Sequence, residues 1–126
     1  MNQRTSITVD ESRPIFVQIA EQIENDIVSG ALAEETQVPS TNEFAAFYRI
    51  NPATAGKGVN LLVDAGILYK RRGIGMFVAE GARDRLMAGR RETFQSEYVR
   101  PLVAEAAKLG ITSTQLTDMI TKEGAR

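Results

Sequence analysis

Residues 51–66, NPATAGKGVNLLVDAG, decide the fold. Asn51 can cap the free N–H groups of a helix, and Pro52 at the first helical position gives up a donor with no partner to lose. Ala55, Val59, Leu62 and Val63 then recur at three- and four-residue intervals, which makes one apolar stripe. Ala53, Thr54, Lys57 and Asn60 fall on the other faces and are small, polar or basic. Gly66 is the expected stop, because a left-handed residue suits glycine best. Two β-type runs follow, residues 67–72 and 76–79, joined by Gly73-Ile74-Gly75. A helix with a small polar face beside a basic hairpin predicts a winged helix-turn-helix.

Upstream, Ser12 or Arg13 is the expected cap of a first helix, with Pro14 just inside it. Phe16, Ile19, Ala20, Ile23 and Ile27 mark its buried side, and Gly30 its end. A linker over residues 31–38 should tuck Ala31, Leu32 and Val38 onto the core. Ser40 with Glu43 forms a capping box for a short second helix, with Phe44, Ala45 and Phe47 on its buried side. Arg49 and Ile50 make the turn into the Asn51 helix, Ile50 facing inward. Residues 1–11 show no periodicity and read as a flexible arm, so the expected domain runs over 12–80.

Composition narrows the function. Cysteine and histidine are absent, which removes thiolate sites, the commonest zinc ligand and the commonest general base. Neither a metal, a cofactor nor an enzymatic activity is expected. Apolar runs are only a few residues long and the N-terminus lacks the pattern of a signal peptide, so a cytoplasmic protein without a membrane partner is expected. The net charge of −1 does not by itself suggest a nucleic-acid binder. Its distribution is more telling: residues 1–38 hold two basic and seven acidic side chains, residues 39–80 five basic and three acidic.

Residues 14–79 resemble the DNA-binding domain of the GntR family of bacterial transcription regulators. The resemblance rests on Val38-Pro39-Ser40, Phe44-Ala45, Ile50-Asn51-Pro52-Ala53-Thr54, Leu62-Val63-Asp64-Ala65-Gly66-Ile67-Leu68 and Arg71-Arg72-Gly73-Ile74-Gly75-Met76-Phe77-Val78, in that order. The Asn-Pro-x-Thr start and the short tail look like the YtrA subfamily, in which two C-terminal helices serve dimerisation. The resemblance implies a regulator, often a repressor, that binds double-stranded DNA at a palindromic operator as a homodimer and responds in some members to a small-molecule effector. It also implies contacts from Ser40, Thr41 and Asn42 at the start of the second helix. Relatives often carry Arg at the positions held here by Asn42 and Pro52, so Lys57, Arg71 and Arg72 have more of the electrostatic work.

Groove binding requires positive charge for phosphates and side chains that reach base edges. Ala53 suits a thymine methyl, Lys57 a guanine edge, Thr54 a phosphate, and Asn51 adds a phosphate contact to its capping role. In the hairpin, Arg71 and Arg72 are the candidate contacts, and Gly73 and Gly75 allow a tight turn to approach the backbone.

From residue 82 a basic helix is expected, with Arg83, Arg85, Arg90 and Arg91. Met87, Phe94, Tyr98, Leu102, Ala106 and Leu109 form a stripe, and Pro101 within it predicts a kink between Tyr98 and Leu102. Gly110 ends this helix. Thr112 with Gln115 caps a last one, whose face is Leu116, Met119 and Ile120. Two such helices cannot bury these side chains alone, so residues 81–126 are assigned to two-fold dimerisation. Phe94, Tyr98 and Met119 are the candidates for an apolar effector site. The fold class expected is therefore mostly α with a small β wing, a winged helix-turn-helix followed by a two-helix segment. The competing function is a winged-helix protein-interaction module that reads no DNA.

Overall fold

The computed structural model describes residues 12–126. The expected arm at residues 1–11 lies outside them. Three helices, α1 (Ile15–Ser29), α2 (Thr41–Tyr48) and α3 (Pro52–Asp64), precede a hairpin of β1 (Leu68–Arg71) and β2 (Gly75–Val78). Then come α4 (Ala82–Phe94), a π-helical turn (Gln95–Val99), α5 (Arg100–Lys108) and α6 (Ser113–Gly124). The fold is mostly helical with a small antiparallel wing. The chain divides into two compact units, one ending at Met87 and one spanning Ala88–Arg126.

The core of the first unit is set by α1 and α3. Ile19, Ile23 and Ile27 of α1 lie with Val59 and Leu62 of α3, and Val38, Leu68, Val78 and Ala82 close the cluster. Burying such side chains fully contributes about 1.5–3 kcal/mol each. The helices can meet this closely because residue 58 is glycine: a β-carbon there would lie 2.6 Å from the Phe16 carbonyl oxygen.

Helix ends follow the capping residues, with one exception. Ser40 and Glu43 form the reciprocal box at α2, and Asn51 Oδ1 accepts from the Ala53 N–H at 2.7 Å at α3. After α3, the Ile67 N–H donates to the Leu62 carbonyl and the Gly66 N–H to the Val63 carbonyl, with Gly66 at φ 77°. That is the Schellman stop expected of Gly66. The exception is α1. Its cap is Pro14, which bonds nothing through its side chain, and neither Ser12 nor Arg13 holds that place. Arg13 instead pairs with Glu21, at 2.5 Å.

Other expectations need correcting. Phe47 is 55% exposed rather than buried, and Tyr48 takes its place against the core because α2 is only eight residues long. Ala31 is exposed, while Leu32 and Val38 pack inward as expected. Ile67, Arg72 and Ala79 fall outside the strands, and Gly75 lies within β2, paired with Arg71. The hairpin loop is therefore Arg72-Gly73-Ile74.

The linker is a working part of the wing. Its Val38 N–H donates to the Met76 carbonyl, the Val78 N–H to the Thr36 carbonyl, and the Glu35 N–H to the Val78 carbonyl. Residues 35–38 thus run as a partial third strand along β2, with Gln37 bridged to Phe77. The start of α4 is also tied into this unit. Glu34 accepts from the Gly81 and Arg83 N–H groups, capping α4 from a distant segment. Those two bonds hold its carboxyl below the usual carboxylate range. The guanidinium of Arg83 donates to the Val28 carbonyl and that of Arg85 to the Gly66 carbonyl, both near helix C-termini where cations are favoured. The first unit accordingly extends past the expected boundary at residue 80.

In the second unit the interruption expected near Pro101 is a π-helical turn just ahead of it. The π-helical turn at Gln95–Val99 ends with the Arg100 N–H donating to the Gln95 carbonyl, one residue wider than α spacing, immediately ahead of the proline. A proline ring clashes with the carbonyl four residues back, and a locally wider turn relieves that clash. Gly110 ends α5 as expected, and Thr112 with Gln115 forms the capping box of α6.

Candidate nucleic-acid interface

The N-terminal end of α3 has one side buried and one side bare. Ala55, Gly58 and Val59 face the core, while Asn51, Pro52, Ala53 and Lys57 are exposed and Thr54 half-exposed. No segment among the described residues covers this face. Small side chains near the helix start leave room for base edges, and the helix N-terminus itself favours phosphate.

Lys57 is not fully free. Its ammonium stands 4.7 Å from the centre of the Phe16 ring. An exposed contact of this type is worth about 0.5–1 kcal/mol, whereas a good base-edge contact is worth about 1–3 kcal/mol of discrimination. The ring therefore parks the side chain beside the bare face of the helix without holding it there.

The start of α2 adds polar groups. Ser40 and Asn42 are exposed and Thr41 is half-buried against α3, its methyl group 3.5 Å from where a β-carbon on Gly56 would stand. Ser40 is committed in part to the capping box, its N–H donating to Glu43 Oε1 at 2.7 Å.

In the wing, Arg71 lies 4.9 Å from the Phe77 ring centre, on the face shared with Tyr69. Tyr69 donates to Glu35 at 2.6 Å, and this carboxylate acceptor raises the phenol above its ordinary range. Arg72 sits in the loop itself, exposed and with no bond or ion pair among the described residues. Gly73, at φ 77°, makes the turn. Gly75 serves a purpose the turn argument did not name: the Gln37 side chain passes so close that a β-carbon there would meet its Nε2 at 2.5 Å. That Nε2 donates to the Ile74 carbonyl at 2.9 Å and steadies the tip.

Sequence reasoning missed Gln37, Glu34 and the tethering of Arg83 and Arg85. The only local signal was the β-branched pair Thr36 and Val38 flanking Gln37. The Arg83 and Arg85 side chains are anchored to backbone through part of their guanidinium groups. Among the described residues no cluster of three or more acidic side chains is arranged to hold a metal ion, and no helix is long and apolar enough to cross a membrane.

Comparison with known proteins agrees with this geometry. The family described as "Bacterial regulatory proteins, gntR family" matches residues 16–78. The transcriptional repressor YtrA of Bacillus subtilis (strain 168) is 29% identical over 109 residues, covering 86% of this chain and 83% of its own. A putative transcriptional regulator of the GntR family from Bacteroides thetaiotaomicron superposes with a TM-score of 0.69 at 33% identity, over 89% of this chain and 97% of that one. The DNA-binding domain of AraR in complex with operator ORX1 matches 59% of this chain and 90% of its own, with a TM-score of 0.52 and 29% identity. The match to YtrA runs beyond the winged helix into the tail, and with it this chain belongs to the gntR family of bacterial regulatory proteins, on the YtrA-like side.

Proposed function

We propose that the protein is a homodimeric repressor that reads a palindromic operator with the start of α3 and the wing. The observation that carries this is the bare face from Asn51 to Lys57 on a helix whose opposite side is locked into the core. Ala53 and Lys57 read bases, while Asn51, Thr54, Ser40, Thr41 and Asn42 position the phosphates. The exposed Arg71 and Arg72 flank a glycine turn that approaches the neighbouring backbone. Operators are the ligands of the relatives with solved complexes, and the bare α3 face supports the same ligand here. A reader of chromosomal operators works in the cytoplasm.

Dimerisation is supported by the second unit. Phe94, Tyr98, Leu102, Leu109, Met119 and Ile120 are all exposed in the single chain, Tyr98 at 66% and Leu109 at 64%. Ala106 is buried and Leu116 half-buried, so these two help form the unit while the others await a partner. Met87 is the last residue of the first unit and is half-buried, so its exposed remainder is what it offers to the same interface. A two-fold dimer places two α3 helices on half-sites about 34 Å apart, one turn of DNA. Phe94 and Tyr98, with rings 5.5 Å apart, and Met119 remain the candidates for an effector site. Each is half exposed or more, so a pocket there forms only when the second copy covers it.

Selection of bound duplexes from a random pool tests the reading. Lys57→Ala is expected to relax preference at one position per half-site, by about 1–3 kcal/mol. Arg72→Ala should weaken all sequences evenly and lower the salt slope. An enriched site unchanged by Lys57→Ala would remove that residue from base readout, and failure to enrich any duplex would favour the protein-interaction module.

A further inference from the structure

The outward ridge of α3 runs further than the residues assigned to it so far. Ala55, Gly58, Val59 and Leu62 are buried. At about 100° of turn per residue, the direction opposite them is held by Ala53, Lys57, Asn60 and Asp64, all exposed. Asn60 stands about 4.5 Å beyond Lys57 along the axis, little more than the rise of one base pair. A side chain that reaches a base edge from Lys57 thus has Asn60 beside it, one turn on.

The two residues at this place differ in kind. The Asn60 side-chain amide makes no hydrogen bond to another described residue. Leu61 follows it around the helix and is 42% exposed. A lone exposed leucine is ordinary on a protein surface. Next to an unbonded amide on this ridge it completes a recognisable pair. An Asn amide offers one acceptor and one donor, which matches adenine N6 and N7, and the thymine opposite puts a methyl group into the same groove. A G·C pair has no methyl, and guanine presents two acceptors where adenine presents a donor and an acceptor. Asp64 marks the end of the ridge: its carboxylate and the C-terminal end of the helix both disfavour phosphate.

We infer that Asn60 and Leu61 together read one A·T pair in the major groove. Asn60 bonds adenine through N6 and N7, and Leu61 covers the methyl of the paired thymine. The inference rests on the operator reading above and extends it by one base pair on the Asp64 side of Lys57.

Selection of bound duplexes with the full chain comes first. Asn60→Ala is expected to relax the enriched site at one A·T pair in each half-site. Base analogues at that pair then supply the decisive measurement, by titration at one fixed salt concentration. Replacing the adenine by 7-deazaadenine removes N7 and should weaken the unsubstituted protein about fivefold, while leaving Asn60→Ala unaffected. Replacing the thymine by deoxyuridine removes the methyl and should weaken it about threefold, while leaving Leu61→Ala unaffected. Both side chains are exposed, so thermal unfolding of the variants should match that of the unsubstituted protein. An enriched site unchanged by Asn60→Ala would overturn the inference and leave the operator reading standing. So would analogues that weaken variants and unsubstituted protein alike, or neither. Failure to enrich any duplex would remove the operator reading and this inference together.

Discussion

Single residues divide by how far along the chain their partners lie. Ser40, Glu43 and Asn51 bond groups two or three positions away, and local spacing is enough to assign them. Glu34 bonds Gly81 and Arg83, and Lys57 meets Phe16; no local pattern announces such pairs. Gly58 is of the same kind. Its apolar neighbours suggest only a helix, whereas its lack of a side chain is what lets α1 and α3 touch. Gly58→Ala places a β-carbon 2.6 Å from backbone, so the helices must separate. The expected cost is about 1–3 kcal/mol, read from urea unfolding. Glu34 supplies a pH test. Its folded-state carboxyl is held below the ordinary value by two backbone N–H donors, so its contribution is complete above that value and disappears as pH falls through the folded one. Glu34→Gln should therefore lower stability at neutral pH and flatten the acid-side decline below about pH 5, checked by unfolding midpoints across pH.

Elements are legible where their ends carry capping residues. The second and third helices of the winged fold, and the last helix, begin or end where Ser40, Asn51, Gly66 and Thr112 put them, whereas the first begins after Pro14 rather than at it. What spacing along the chain does not reveal is pairing between segments. Residues 31–38 read as a linker, yet part of it bonds β2 and turns a two-stranded hairpin into a three-segment wing. Through Gln37 this segment also holds the Ile74 carbonyl at the tip. Gln37→Ala removes that bond and should cost about 0.5–1.5 kcal/mol. Its more specific signature is faster amide exchange at residues 72–75 than in the rest of the wing. Equal exchange in both proteins would mean the tip is held by the turn alone.

At the scale of the whole molecule, the surplus of apolar side chains in the tail is legible from residue spacing, because the expected helices are too few to bury them. The identity of the covering surface is not, since one chain contains no trace of its neighbour. If two copies cover each other there, a charge placed in the patch must be desolvated. Leu109→Glu is expected to shift the chain to monomer in sedimentation and to weaken operator binding about a hundredfold or more, since a monomer reads only one half-site. A Leu109→Glu chain that stays dimeric would move the interface away from α5. Thermal unfolding should show little change in the first unit, which has its own core.

The wide turn at Gln95–Val99 has a consequence for where the tail points. It holds one residue more than regular α spacing allows, so the side chains after it face as they would beyond an unbroken helix one residue shorter. Closing it to α spacing at unchanged length would turn everything downstream by about 100° around the rod's axis. Pro101, whose ring the wide turn accommodates, is thus the residue that aims Leu102 and Leu109.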